Sequence, residues 1–187
     1  MPKYVALLRA INVGGHTVRM EELRRHFAAM GFANVETFIA SGNVIFDAPR
    51  AGAKTLERKI ERALEEALGY KVATFLRTPK ELAAVARHQP FAAAELEGEG
   101  NVLYVAFLSH EPDAEAARKL SSYADEVDDF HVSGRELYWL SRKRRGESKF
   151  SGGLLERTLG ARATVRNSTT VRKLAAKYSS ANPHSDD

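Results

Sequence analysis

Residues 35–47, VETFIASGNVIFD, hold two β-rich stretches around a polar tripeptide. Val35 to Ala40 and Val44 to Asp47 carry the β-branched and aromatic residues that suit a pleated, half-buried surface. Between them, Ser41-Gly42-Asn43 supplies a glycine able to adopt the left-handed conformation of a tight turn. The stretch reads as strand, turn, strand, and its place in the chain decides what surrounds it.

Upstream, Tyr4 to Arg9 is an apolar run too short for a helix and reads as a buried strand. A loop from Asn12 to Thr17 follows. Met20, Leu23, Phe27 and Met30 then recur at helical spacing, with Glu21 and Glu22 near the positive end of the helix dipole and Gly31 as a stop. Downstream, Leu56, Ile60, Ala63, Leu64, Ala67 and Leu68 line one face of a second helix ended by Gly69. Val72 to Arg77 reads as a strand, and Thr78-Pro79 opens a short helix through Arg87.

The same order returns after Pro90 to Gly100, a stretch with neither period that reads as a connector. Val102 to Leu108 is a strand and Asp113 to Tyr123 a helix. Phe130 to Val132 and Glu136 to Leu140 flank Ser133-Gly134-Arg135 as a second hairpin. A helix around Leu154, Leu155 and Leu159 closes at Gly160, Ala163 to Arg166 is a strand, and Val171, Leu174, Ala175 and Tyr178 mark the inner face of a last helix.

Each half therefore reads β-α-β-β-α-β-α, the split β-α-β order of ferredoxin-like folds with a terminal helix added. The expectation is an α+β protein of two ferredoxin-like halves arising by internal duplication, with Ser41-Gly42 echoed by Ser133-Gly134 and Leu68-Gly69 by Leu159-Gly160. The expected divisions are residues 1–90 for the first half, 91–100 for the connector and 101–178 for the second half. Residues 179–187, polar and without an apolar face, are expected to be a disordered tail.

The composition suits such a fold: 187 residues, 44% hydrophobic and 28% charged. The absence of cysteine excludes disulfides, thiolate metal sites and thiol nucleophiles, and fits a reducing cytoplasm. The apolar run from Met1 to Arg9 is too short for a membrane span, and no signal-cleavage pattern follows it. A cytoplasmic protein with no membrane partner is expected.

The net charge of +4 hides a segregation. Between Glu95 and Asp129 ten acidic residues face two basic ones, and between Arg142 and Lys177 eleven basic residues face two acidic ones. The basic end suits an anionic partner or, equally, the acidic segment of the same molecule or of a neighbour.

Common catalytic signatures are missing: no complete Gly-x-Gly-x-x-Gly, no phosphate loop, no Gly-x-Ser-x-Gly elbow. No histidine pair has helical ligand spacing, and Asp125, Glu126, Asp128 and Asp129 lack the glycine and distal glutamate of a calcium loop. No metal and no cofactor is expected. Arg142, Lys143, Arg144, Arg145 and Lys149 offer a phosphate-contacting loop for nucleic acid, though without interleaved aromatics.

The more specific conjunction is Arg9, Asn12, Gly14 and Gly15 ahead of a helix. Adjacent glycines let backbone N–H groups approach an anion, the helix start adds a favourable dipole, and Arg9 can pair bidentately with a phosphate or carboxylate. His16 adjoins the turn, and Ser41, Gly42 and Asn43 add polar groups if their turn lies nearby. The competing reading is a turn that needs positive φ, with Asn12 bonding its own backbone.

Three strings carry a resemblance: Leu7-Leu8-Arg9-Ala10-Ile11-Asn12-Val13-Gly14-Gly15, Thr37-Phe38-Ile39-Ala40-Ser41-Gly42-Asn43-Val44-Ile45-Phe46, and Thr164-Val165-Arg166-Asn167. They resemble the signatures of the bacterial Domain of Unknown Function 1697 family, over Lys3 to about Lys177. Family members commonly carry Gly in place of Ala10, Tyr and Gln in place of Phe38 and Ala40, and Asn-Trp-Asn in place of Asn167-Ser168-Thr169. The resemblance implies a fold and a shared polar surface, not a reaction, and it adds Arg166 and Asn167 to the candidate ligand-binding residues.

The expected function is binding of a small anionic or phosphorylated ligand at the Gly14/Gly15 loop, with turnover left open. A nucleic-acid-binding module using Arg142 to Lys149 and a protein-interaction module are the alternatives. Because the resembling family often has Lys at position 16, His16 is expected to add charge or hydrogen bonding and no proton transfer.

Overall fold

The hairpin quoted above sits inside the first of two four-stranded antiparallel sheets, in a computed structural model that describes residues 1–12, 14–39, 42–143 and 146–179. Ser41, Arg144, Arg145 and the tail beyond Ser179 lie outside the described residues. The chain is a mixed α+β protein, with seven helices among those residues. It forms two compact units, one comprising Met1–Ala83 and the segment beginning at Leu174, the other Ala84–Lys173.

In the first unit, β1 (Lys3–Leu8), α1 (Met20–Ala29), β2 (Ala33–Thr37), β3 (Asn43–Asp47), α2 (Ala53–Leu68) and β4 (Thr74–Arg77) follow in order. The strands lie β2-β3-β1-β4. Alternation along them sends Ala6, Leu8, Val44, Phe46 and Leu76 to the side of the helices, where they pack with Leu23 and Phe27 of α1 and Leu56, Ile60 and Leu64 of α2. Phe46 anchors this core, with the Phe32 and Phe27 rings 4.5 and 5.3 Å away.

β4 pairs only with β1, which leaves one row of its N–H groups without a strand partner. Carboxylates one helical turn apart on α2 fill that role: Glu61 Oε1 accepts from the Thr74 N–H at 2.9 Å, and Glu57 Oε1 from the Leu76 N–H at 3.0 Å. Glu57 is buried, and Lys54 lies 3.0 Å from its other oxygen.

β2 differs from its sequence reading. It ends at Thr37, because Ile39 takes a left-handed backbone (φ 55°) that no strand allows. α3 (Pro79–Arg87) begins as expected, with Thr78 and Glu81 forming a reciprocal cap.

The second unit repeats the order with α4 (Ala93–Leu96), β5 (Asn101–Leu108), α5 (Ala114–Ser121), β6 (Asp128–Ser133), β7 (Glu136–Arg142), α6 (Gly152–Leu159) and β8 (Ala163–Asn167), and α7 (Ser168–Ser179) begins in it. Its strands lie β6-β7-β5-β8. Ala106, Leu108 and Leu137 pack with Leu120 of α5 and Leu155 and Leu159 of α6. The Pro90–Gly100 stretch contains one turn of helix, α4, too short to show a period. No helix among the described residues is long and apolar enough to cross a membrane.

Candidate functional site

β1 hands over to the glycine-rich loop at Arg9, whose N–H donates to the Ala73 carbonyl at 2.9 Å. Ala10 then adopts φ 54°, a left-handed backbone unusual for a residue with a Cβ. Ile11 is buried, and its carbonyl accepts from the Tyr70 hydroxyl at 2.9 Å. Asn12 Oδ1 accepts from the Val18 N–H at 2.8 Å, so this side chain ties the loop's two ends together. Burial, then the negative charge of Glu22, raises the Tyr70 phenol pKa, and the His16 ring stacks on Tyr70 at 3.8 Å.

Gly14 and Gly15 have φ of 70° and 84°, and a Cβ built on either would meet no atom within 4 Å. Both residues are exposed, and no group among the described residues meets a Cβ built there. α1 begins at Met20, and its N-cap, Arg19, makes no side-chain capping bond.

The two N-terminal motif loops do meet. The Leu8 N–H donates to the Gly42 carbonyl at 2.8 Å, and a Cβ on Gly42 would lie 2.9 Å from Ile11 Cγ2. Asn43 is fully buried, its amide donating to the Phe38 carbonyl at 3.0 Å. Arg166 is buried in β8, where its guanidinium donates to Thr164 Oγ1 and the Val165 carbonyl, and burial lowers its pKa to about 10. Asn167 caps α7, its Oδ1 accepting from the Thr169 N–H at 2.9 Å.

The basic hairpin exit is engaged with acidic groups of its own unit. Arg142 is buried, 2.9 Å from Glu95 and 3.5 Å from Asp129, and the Glu95 hydrogen bond raises its pKa. Lys143 lies over the Tyr104 ring at 5.7 Å, and Lys149 is exposed. Next to them, Asp128 accepts from Trp139 Nε1 at 2.8 Å and from the Ser148 hydroxyl at 2.6 Å.

A concavity of the second unit lies where α7 begins. A cavity of about 220 Å³ is walled on its polar side by Asn101, Asn167, Ser168, Thr169 and Arg172. A second, of about 80 Å³, lies among Val85, Leu103, Val105, Tyr138 and Val171. Leu96, Leu103, Ser168 and Arg172 line both, so the two adjoin. On α7 the spacing of Ser168, Val171 and Arg172 (i, i+3, i+4) puts them on one face.

Ser168 is 8% exposed, and its hydroxyl has no hydrogen-bond partner among the described residues. Arg172 is exposed and has no ion-pair partner among them. Sequence reasoning picked out Asn167 but missed Asn101, Ser168, Thr169 and Arg172; the legible signal was the Ser168-Arg172 spacing beside an apolar Val171.

Fold and site together define an α+β protein of two four-stranded antiparallel sheets, with a polar cavity at a helix start in the second unit. The chain belongs to the family described as "Protein of unknown function (DUF1697)", whose model matches residues 1–138. That span covers the first two motifs and ends before Thr164–Asn167. Among solved structures, the chain is similar to the conserved bacterial protein SP0830 from Streptococcus pneumoniae, with 20% identity, a TM-score of 0.71, and coverage of 96% of this chain and 99% of that one. At that identity the likeness speaks for the fold alone. A search of curated proteins finds no match.

Proposed function

We propose that the chain binds a small anionic ligand, a carboxylate or a phosphate monoester, in the cavity where α7 begins. The observation that carries this reading is Ser168, a largely buried residue on the wall of a polar cavity, whose hydroxyl has no hydrogen-bond partner among the described residues. An anion in the cavity can accept a hydrogen bond from that hydroxyl, a charge-assisted bond stronger than a neutral one. Arg172 on the same helix face gives the charge, and the first turn of α7 adds a favourable dipole. Calorimetric titration with inorganic phosphate and with acetate tests this. Binding that is lost in Arg172→Ala and weakened in Ser168→Ala supports it, and no binding of either anion by the intact chain overturns it.

A second reading keeps the anion at the Gly14–Gly15 turn of the first unit, favoured by the packing of Gly42 against Ile11, which joins the two motif loops. It predicts that Arg9→Ala or Gly15→Ala, rather than Arg172→Ala, abolishes binding. Nucleic acid draws less support, because Arg142 is buried against Glu95 and Asp129. A cysteine-free chain suits a cytoplasmic setting.

Each unit is also read as ferredoxin-like and the pair as a duplication. Supporting this, Tyr4-Val5-Ala6-Leu7-Leu8 and Tyr104-Val105-Ala106-Phe107-Leu108 occupy matching registers, with Val5 opposite Arg77 and Val105 opposite Arg166.

A further inference from the structure

We infer that the ligand of this cavity is an anion carrying a short branched alkyl group, a deduction that rests on the anion-binding reading above. The polar cavity adjoins a smaller one that has an apolar side and a polar side: on the apolar side Val85, Val105, Tyr138 and Val171 are all at most 7% exposed, and His88, Gln89, Ser168 and Arg172 supply the polar side. The Tyr138 hydroxyl is turned to the Val85 carbonyl at 3.4 Å, and burial raises its pKa, so it stays a neutral phenol. No charged group is provided on the apolar side by Val85, Leu103, Val105, Tyr138 or Val171; the charge in the adjoining cavities comes from Arg172, with His88 and Gln89 also lining the smaller one.

Ser168 and Arg172 line both cavities and so stand at the junction. A ligand held there points its anionic head at Arg172, Ser168 and Thr169 and its tail at Val105 and Val171. Size selects the tail. A cavity of ~150 Å³ accepts benzene, so a space of about 80 Å³ has room for roughly three or four carbons and not for a ring. An isopropyl or isobutyl group fits; a nucleobase or phenyl does not.

The test compares calorimetric affinities of the full chain for acetate, inorganic phosphate, isovalerate and phenylacetate. Burial of three further carbons makes isovalerate roughly fiftyfold tighter than acetate, with phenylacetate gaining much less. Ala86→Leu, on α3 at the wall of the smaller cavity, fills the tail space; it is expected to remove the isovalerate advantage and leave acetate binding intact. Acetate and isovalerate binding equally, with both lost in Arg172→Ala, would overturn the tail assignment and leave the anion site standing. Phenylacetate binding more tightly than isovalerate would also overturn it. Failure of all four ligands to bind would overturn the tail assignment together with the anion-binding reading.

Discussion

Gly42→Ala is the sharpest probe of how the first unit holds its two motif loops together. Gly42 has φ 75°, so an alanine pays about 1–2 kcal/mol of left-handed strain, offset by about 0.4–1 kcal/mol from a less flexible unfolded chain. That part of the effect is shared by Gly15→Ala, where φ is 84° and the added Cβ meets nothing. At Gly42 the Cβ would lie 2.9 Å from Ile11 Cγ2, 3.1 Å from Leu8 Cβ and 3.3 Å from the Leu8 carbonyl oxygen. Leu8 and Ile11 are buried, and the Leu8 backbone is fixed by its bond to the Gly42 carbonyl, so none of the three can simply rotate away.

Overpacking of this kind costs about 1–3 kcal/mol. The sum is about 2–4 kcal/mol for Gly42→Ala, against about 1 kcal/mol for Gly15→Ala. Urea unfolding followed by circular dichroism reads the difference, since a slope of about 1–3 kcal/mol per molar converts it to a midpoint separation of roughly 1 M. Equal midpoints for the two variants would refute the claim that the loops pack at Gly42.

Ala10→Gly relieves left-handed strain at an exposed position and is expected to raise stability by about 0.5–1 kcal/mol in the same assay; a loss would refute strain at Ala10. Arg142→Ala breaks a buried pairing with Glu95 and Asp129 and should cost about 1–3 kcal/mol, while exposed Lys149→Ala stays within about 0.5 kcal/mol; similar melting temperatures for the two would contradict the internal role of Arg142. The Asp125 carboxylate accepts N–H bonds from Asp128 and Val127, which lower its pKa, so its contribution to stability is present above about pH 4 and fades as pH falls through the depressed value; an NMR titration midpoint at or above 4 would oppose this.

The order of elements was legible because each main helix shows an apolar stripe and each central strand a compact apolar run. Leu56, Ile60 and Leu64, for instance, face the same core that their spacing implied. The limits of β2 were not legible: Phe38 and Ile39 have strand-forming side chains, yet Ile39 is left-handed, a conformation its propensity opposes. α4 escaped notice because four residues, Ala93–Leu96, cannot display a 3.6-residue period. The cavity was hidden for a different reason, since Val85, Asn101, Tyr138 and Ser168 are brought to it from four separate elements.

The polar residues of the motifs show why chemistry read from residue type alone leads first to turns. Asn12, Asn43 and Asn167 each carry an amide suited to a ligand, and each uses it locally, on the Val18 N–H, the Phe38 carbonyl and the Thr169 N–H. Turns and helix starts leave backbone groups without partners, and short polar side chains are placed there to serve them. Motifs rich in Asn, Ser and Gly therefore mark where the backbone needs help before they mark where a ligand binds. What separates the two cases is whether the polar group is already satisfied. Ser168 differs from all three asparagines on that count: it is buried, it lines a cavity, and nothing among the described residues bonds its hydroxyl. The same logic applies to the cations, where Arg142 and Arg166 are committed within the second unit and Arg172, on the cavity wall, is the one placed to meet an incoming anion.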